Sequence, residues 1–147
     1  MGHVRSDKTL PIVESIIEKH PNISVIYRDF VSDSKKQIKK AVINLLKNDD
    51  VHAILFSGGT GLSPKDITLE AIKPLIEKEI TGFGELFRYL SYKEIGSSAM
   101  LSRALAGVIN KKIIFLLPGS PKAVKLALEK LIIPELGHII YIINKKE

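Results

Sequence analysis

Apolar positions along this chain switch between two periods. In LPIVESIIEKH, residues 10 to 20, Ile12, Ile16 and Ile17 recur at helical spacing, whereas ISVIYRDFV, residues 23 to 31, is β-branched and aromatic and predicts a strand. SKKQIKKAVINLLK, residues 34 to 47, places Ile38, Val42, Leu45 and Leu46 on one stripe of an amphipathic helix. VHAILF, residues 51 to 56, is the nearly continuous apolar run that a strand covered on both faces requires. The second half repeats the plan. TLEAIKPLIEKE predicts a helix interrupted at Pro74, and EIGSSAMLSRALAG a helix of small residues ending at Gly107. KIIFLLPG, residues 112 to 119, predicts a strand stopped by Pro-Gly, and PKAVKLALEKLIIPEL a helix that opens beside Ser120 and Pro121.

Helices alternating with strands through short connections imply parallel pairing by crossover. The expected fold is a three-layer α/β/α domain around a mostly parallel central sheet, one domain over residues 1–147, without internal repeats. The first predicted element is a helix, reached after only MGHVRSDKT, although doubly wound domains commonly begin with a strand. His3 and Val4 are too few to make one, so either the chain is shortened at its start or a later segment fills that place.

Composition narrows the chemistry. With 147 residues, 45% hydrophobic and 26% charged, the chain carries enough apolar material for one core. It has no cysteine, which excludes disulfides, thiolate metal sites and thiol nucleophiles. His3, His20, His52 and His138 are dispersed and lack metal-ligand spacing. No apolar run approaches the roughly 18 residues of a membrane span and no charged-then-apolar leader opens the chain, so a soluble cytoplasmic protein is expected. The net charge of +6 resides in Lys35, Lys36, Lys39 and Lys40 at helical spacing, in the Lys111–Lys112 pair and in Lys145 and Lys146. None is interleaved with stacking aromatics, so a solvated helix face is a better account than a nucleic-acid interface; a milder reading is that the surplus attracts phosphorylated small molecules.

The stretch LFSGGTGLSP, residues 55 to 64, ends an apolar run with three glycines in four positions. At the carboxyl edge of a parallel sheet, a turn of Gly58, Gly59, Thr60 and Gly61 lets backbone N–H groups approach an oxyanion, because no Cβ stands in the way. It matches neither the P-loop nor GxGxxG. In the following SPKDIT, Ser63, Pro64 and Asp66 fit a helix start with its cap; equally, a carboxylate beside an anion cradle can hold Mg²⁺. Asp33, in VSDSKK, fits the cap of the Lys-rich helix or a second carboxylate at the same edge. In LLPGSPKAV, Pro118 and Gly119 turn the chain and a helix begins at Ser120, leaving N–H groups at that edge too.

Three stretches together, SGGTGLSPKDITLEAIKPL, GFGELFRYLSYKEIGSSAMLSRALAG and FLLPGSPKAVKLALEKLIIPELGHII, resemble the MoaB/MogA family of molybdenum cofactor biosynthesis, the molybdopterin adenylyltransferases. The resemblance runs in order from about residue 30 to 140, and GFGELFR with EIGSSAMLSRA is closer to the MoaB branch found in archaea. It implies a reaction in which Mg²⁺-ATP adenylylates the terminal phosphate of molybdopterin and releases pyrophosphate, ahead of hand-off to a MoeA-type molybdate-insertion protein. A phosphate nucleophile is already ionised at neutral pH, so alignment and charge neutralisation suffice without a histidine or cysteine base.

By that resemblance, Asp66 of SPxDxT aids Mg²⁺ placement and transition-state charge, and Asp33 corresponds to the family's other acidic residue. Gly58, Gly59, Thr60, Gly61 and Ser63 bound the cleft shared by nucleotide and pterin phosphate, Gly119 and Ser120 contribute phosphate contacts, and Ser97 and Ser98 line the pterin side. Glu70 contacts the cofactor site or merely favours its helix's first turn. Arg103 reaches a phosphate or is a surface or interface residue. The resemblance implies a homotrimer or homohexamer, with Phe83, Leu86, Phe87, Tyr89, Leu90 and Tyr92 expected at a subunit contact. The family opens with a strand and a Ser-Asp-rich turn, of which VRSDKT keeps only the turn. The alternative is a module of the same family that holds molybdopterin or nucleotide without turnover.

Overall fold

The computed structural model describes residues 8–146. The Ser6–Asp7 turn, and the strand looked for before it, fall outside the described residues.

Helices α1 (Thr9–Ile17) and α2 (Lys35–Leu46) form where the helical period places them. Ser34 caps α2, its Oγ accepting the Gln37 N–H at 3.4 Å. The cap read into VSDSKK at Asp33 therefore belongs to the next residue. Between these helices, residues 23–32 run without helix or sheet pairing, correcting the strand expected over 23–31. Branched and aromatic side chains favour extended backbone, but a strand also needs a neighbour to receive its hydrogen bonds. This segment joins no strand of the described sheet, leaves Ile26 and Tyr27 exposed, and is tied to α1 through Arg28 Nε on Glu14 at 2.6 Å.

The described sheet has the order β1-β4-β3-β2. Strands β1 (Ala53–Ser57) and β4 (Lys112–Leu117) are parallel, in register from Ala53 opposite Ile113 to Ser57 opposite Leu117. Strand β3 (Leu105–Ile109) is antiparallel to β4, and the short β2 (Lys78–Glu79) is antiparallel to β3. The α/β class thus holds with a mixed sheet, one parallel and two antiparallel pairs. A tight hairpin explains it: Asn110 and Lys111 both take positive φ, 48° and 61°, as a type I′ turn between twisted strands demands. The helix read into EIGSSAMLSRALAG is corrected accordingly. Helix α4 (Thr81–Ile95) stops at Gly96, where φ is 71°; a 3₁₀ turn (Gly96–Leu101) follows, and LAGVI is strand.

Pro74 interrupts its helix as expected, because it lacks an N–H and its ring crowds the preceding turn. Helix α3 (Thr68–Ile72) gives way to a 3₁₀ turn (Lys73–Leu75) and then to β2, so KE is strand and not helix. At the other end, α5 (Pro121–Ala127) passes through a π turn (Leu128–Ile132) into α6 (Ile133–Ile143), carrying the final helix past its expected end. Pro134 cannot donate to the preceding turn, and a wider turn just before it absorbs that defect.

Alternation along β4 separates two cores. Ile113, Phe115 and Leu117 face α1, α4 and α5, meeting Val13, Ile16, Phe83, Phe87 and Val124. Ile114 and Leu116 face α2 and α3, meeting Ile38, Val42, Leu69 and Ile72. With both faces covered, β4 is buried along its whole length, which is why its sequence is continuous and not alternating. These are the three layers expected.

Candidate functional site

Parallel pairing of β1 and β4 brings their carboxyl ends to the same edge, and hydrogen bonds lock the two following loops together. The Gly58 N–H donates to Leu117 O at 2.8 Å, and the Ser57 hydroxyl donates to Pro118 O at 3.1 Å. A methyl at Gly119 would lie 3.6 Å from the Gly58 Cα. The two glycine turns singled out in the sequence are therefore neighbours.

The loop after β1 takes the left-handed region at Gly58 and Gly59, with φ of 104° and 70°. Thr68, buried at the start of α3, holds this shape. Its hydroxyl donates to Gly58 O at 2.8 Å and its N–H to Gly59 O at 3.1 Å. A Cβ at Gly59 would overlap the Thr68 Oγ1, so glycine is required there by both conformation and space. Among the described residues, the N–H groups of Gly59, Thr60, Gly119 and Ser120 have no hydrogen-bond partner.

Arg103 closes the loop from the other side. Its N–H donates to Thr60 O at 3.1 Å, its Nε to Gly61 O at 3.0 Å and its Nη2 to Asp66 O at 3.0 Å, while both terminal nitrogens engage the Glu70 carboxylate. Neither role read from the sequence, a phosphate contact or a surface or interface position, included this, because the helix ends at Gly96 and Arg103 sits on the linker into β3. The guanidinium pKa is raised by its hydrogen bond to Glu70, and that of Glu70 is lowered, first by Arg103 and further by the nearby charge of Lys35. Glu70 is thus ionised and occupied. An open cavity of about 670 Å³ adjoins this pair, lined by Glu70, Arg103, Lys73, Arg88, Met100 and Ser102 among others.

SPKD does not open a helix. Asp66 N–H donates to Ser63 O at 2.9 Å, the Ser63 N–H donates to Asp66 Oδ2 at 2.9 Å, and Lys65 N–H donates to Ser63 Oγ at 3.3 Å. These bonds close a turn on itself, and α3 begins only at Thr68. The carboxyl of Asp66 is held below the usual carboxylate range, chiefly by the side-chain and backbone hydrogen bonds of Ser63 against an opposing desolvation, with smaller help from the Gly61 N–H and the Arg103 charge. It stands ionised beside the glycine loop, and a Cβ at Gly61 would lie 2.7 Å from its Oδ2.

The other expected residues are placed unevenly. Ser120 caps α5, its Oγ accepting the Ala123 N–H at 3.1 Å, and Gly119 O accepts the Thr9 hydroxyl at 3.1 Å. Asp33 is exposed just before α2; Lys35, two positions on, is near enough to act on Glu70. Ser97 and Ser98 are exposed on the 3₁₀ turn leading to Arg103, and among the described residues no hydrogen bond joins their hydroxyls to the glycine loops. The aromatic cluster divides: Phe83 and Phe87 stack in the core at 7% and 1% exposure, correcting their place at a surface contact, whereas Leu86, Tyr89 and Tyr92 are exposed.

Among the described residues no group of three or more histidine or acidic side chains could hold a metal ion. The unpaired N–H groups face anions, so a cation here would depend on the Asp66 carboxylate together with oxygens of a bound ligand. No helix among the described residues is long and apolar enough to cross a membrane.

Residues 3–138 match the family described as "Probable molybdopterin binding domain". Molybdenum cofactor biosynthesis protein B of Bacillus cereus is 46% identical over 142 residues, covering 96% of this chain and 83% of that protein. The protein of the same name from Staphylococcus aureus strain Mu50 is 53% identical over 124 residues, covering 84% and 73%. A crystal structure of Molybdenum cofactor biosynthesis protein B superimposes with a TM-score of 0.92 at 44% identity, over 99% of this chain and 92% of that one.

Proposed function

The chain belongs to the molybdopterin-binding domain family of molybdenum cofactor biosynthesis proteins, and from that premise we propose that it adenylylates molybdopterin with Mg²⁺-ATP and releases pyrophosphate. The observation that carries the reading is the pair of loops locked by Gly58 N–H on Leu117 O, with unpaired N–H groups on both and the Asp66 carboxylate at the rim.

In the reaction, an oxygen of the molybdopterin phosphate forms a bond to the α-phosphorus of ATP, the α–β bridging P–O bond breaks, and pyrophosphate leaves with the electron pair. No proton needs to be removed from an ionised phosphate, so the step needs no general base. The N–H groups of Gly59, Thr60, Gly119 and Ser120 bind and orient phosphate oxygens, and Arg103 holds the first loop in shape so that little reorganisation is required. Asp66 would hold Mg²⁺ together with those oxygens, and the bound ion supplies neutralisation of phosphate charge. Pyrophosphate release from Mg²⁺-ATP, measured with molybdopterin supplied, should require the pterin and fall by roughly 10²-fold or more in Asp66→Asn.

A second reading, a module that holds molybdopterin or nucleotide without turnover, is favoured by one detail: Arg103 occupies the Glu70 carboxylate, which removes it as a donor to the ion. Binding of both ligands without pyrophosphate release would select it.

A further inference from the structure

At the opposite end of the sheet from the glycine loops, the β3–β4 turn, the α2–β1 connection and the end of α6 surround an open cavity of about 820 Å³. Lys111, Lys112, Lys145 and Lys146 line it beside His52, and Asp49 is the one carboxylate in its lining among the described residues. Asp49 forms no ion pair with these lysines among the described residues. Among the described residues its lining thus carries four ammonium groups against one carboxylate and the partial negative end of α6.

Lysines after a helix C-terminus are ordinary, since they complement its dipole, and Asn144 Nδ2 already caps α6 by donating to Ile140 O at 2.9 Å. That accounts for Lys145 and Lys146. It does not account for Lys112, which is 8% exposed at the start of β4 and whose ammonium has no hydrogen bond or ion pair among the described residues. The Nζ is not sealed in, so the buried stem delivers its charge to the cavity. Nor does it account for Lys111, held at φ 61°, a conformation that glycine or asparagine adopts with less strain. Neighbouring ammonium groups repel one another and lower that repulsion by sharing an anion. A single carboxylate is too small a charge for four of them. A chain of phosphates is not, and a concavity of this size holds a small-molecule ligand.

We propose that this cavity binds a multiply charged phosphate chain, free or carried on a nucleotide, independently of the glycine loops. Tyr141 and Ile140 give it an apolar wall against which a base can lie.

The test is an amide-resolved NMR titration of the full chain with sodium tripolyphosphate and, separately, with ATP, both without Mg²⁺ at physiological salt, about 0.15 M. Residues 110–112 and 141–146 should shift with a Kd below about 1 mM, on a curve distinct from any at residues 58–61. Lys145→Glu/Lys146→Glu, a change at exposed positions, should weaken that binding at least about tenfold. Lys112→Met, which keeps the buried stem, should do likewise; should it fail to fold, the exposed pair still decides. Equal affinities for the two probes assign the site to the phosphate chain alone, whereas tighter ATP binding that Tyr141→Ala removes assigns it to a nucleotide. The proposal is overturned by absent shifts up to about 10 mM, by unchanged affinity in the charge-reversed protein, or by a hexaglutamate peptide binding more tightly than either phosphate probe.

Discussion

The two loops at the carboxyl edge of the sheet face one another but are built by different means. The loop after β1 depends on left-handed backbone at Gly58 and Gly59 and is gripped by Thr68 from within and Arg103 from the side. The loop after β4 keeps ordinary backbone at Gly119 and is fixed at its rim, by the Ser120 cap and the Thr9 hydroxyl. One is a cradle whose shape rests on left-handed glycines; the other is a helix start in ordinary backbone, tied to the first through Leu117 O and Pro118 O. Donors fixed in this way stabilise developing charge without reorganising. Glycine therefore does different work in each loop, and substitution should separate the two.

The largest effect is expected at the first loop. Gly59→Ala puts an L residue in the left-handed region, costing roughly 1–2 kcal/mol, and drives the Thr68 hydroxyl from Gly58 O, costing about 1 kcal/mol more. Urea denaturation should register a loss of about 2–3 kcal/mol. In a Thr68→Ala background the overlap with Oγ1 disappears and a tight 3.1 Å approach to the residue-68 Cβ remains, so the same change should cost less, mainly its left-handed part. If the two substitutions prove additive, Thr68 is not what holds the loop, and the contrast with the second loop fails.

Arg103→Ala comes next. It removes side-chain donors from Gly61 O and Asp66 O and leaves Glu70 unpaired, for a loss of about 1–3 kcal/mol. The ion pair itself is partly exposed, so most of that loss should come from the carbonyl contacts. Because Arg103 holds the Glu70 pKa down, the pair stabilises the fold above the ordinary glutamate range, and this contribution is lost as pH falls through the lowered folded value. Urea midpoints followed from about pH 7 to pH 3 should therefore fall less steeply at the acid end in the variant. Arg103→Lys keeps the charge but not the planar fork and should recover little. A variant as stable as the parent would mean that the cradle stands on Thr68 alone.

Legibility in the sequence followed the range of the interactions involved. Glycines after an apolar run announce a turn because few other residues take positive φ, and a strand ending in Pro-Gly before Ser-Pro announces a helix start; both are local facts. Arg103 was opaque because its role depends on where α4 ends and on which strand β3 pairs with. Alanine and leucine in ALAGVI favour helix, and only the Asn110–Lys111 hairpin overrides them. The segment 23–31 failed in the opposite sense, with strand propensity but no strand beside it among the described residues. Phe83 and Phe87, four apart, share the buried face of a helix whose other side carries Leu86, Tyr89 and Tyr92, so grouping them as one cluster merged two surfaces that helical period keeps apart.

The smallest effect on folding is expected at the second loop, and it tests the contrast from the other side. Gly119 is outside the left-handed region, and an added methyl meets only the Gly58 Cα at 3.6 Å, an ordinary van der Waals distance. Gly119→Ala should leave stability within about 0.5 kcal/mol of the parent, or raise it slightly by restricting the unfolded chain. The methyl nonetheless stands toward Gly58, in the crevice between the two loops. If a phosphate chain spans that crevice, ATP affinity should drop by about fivefold or more, roughly 1 kcal/mol, while the urea midpoint stays put. Unchanged affinity would mean that the ligand rests on the first cradle alone and that the second loop only borders it. Lost stability would mean that Gly119 matters to the fold as Gly59 does, and the distinction between the two loops would go with it.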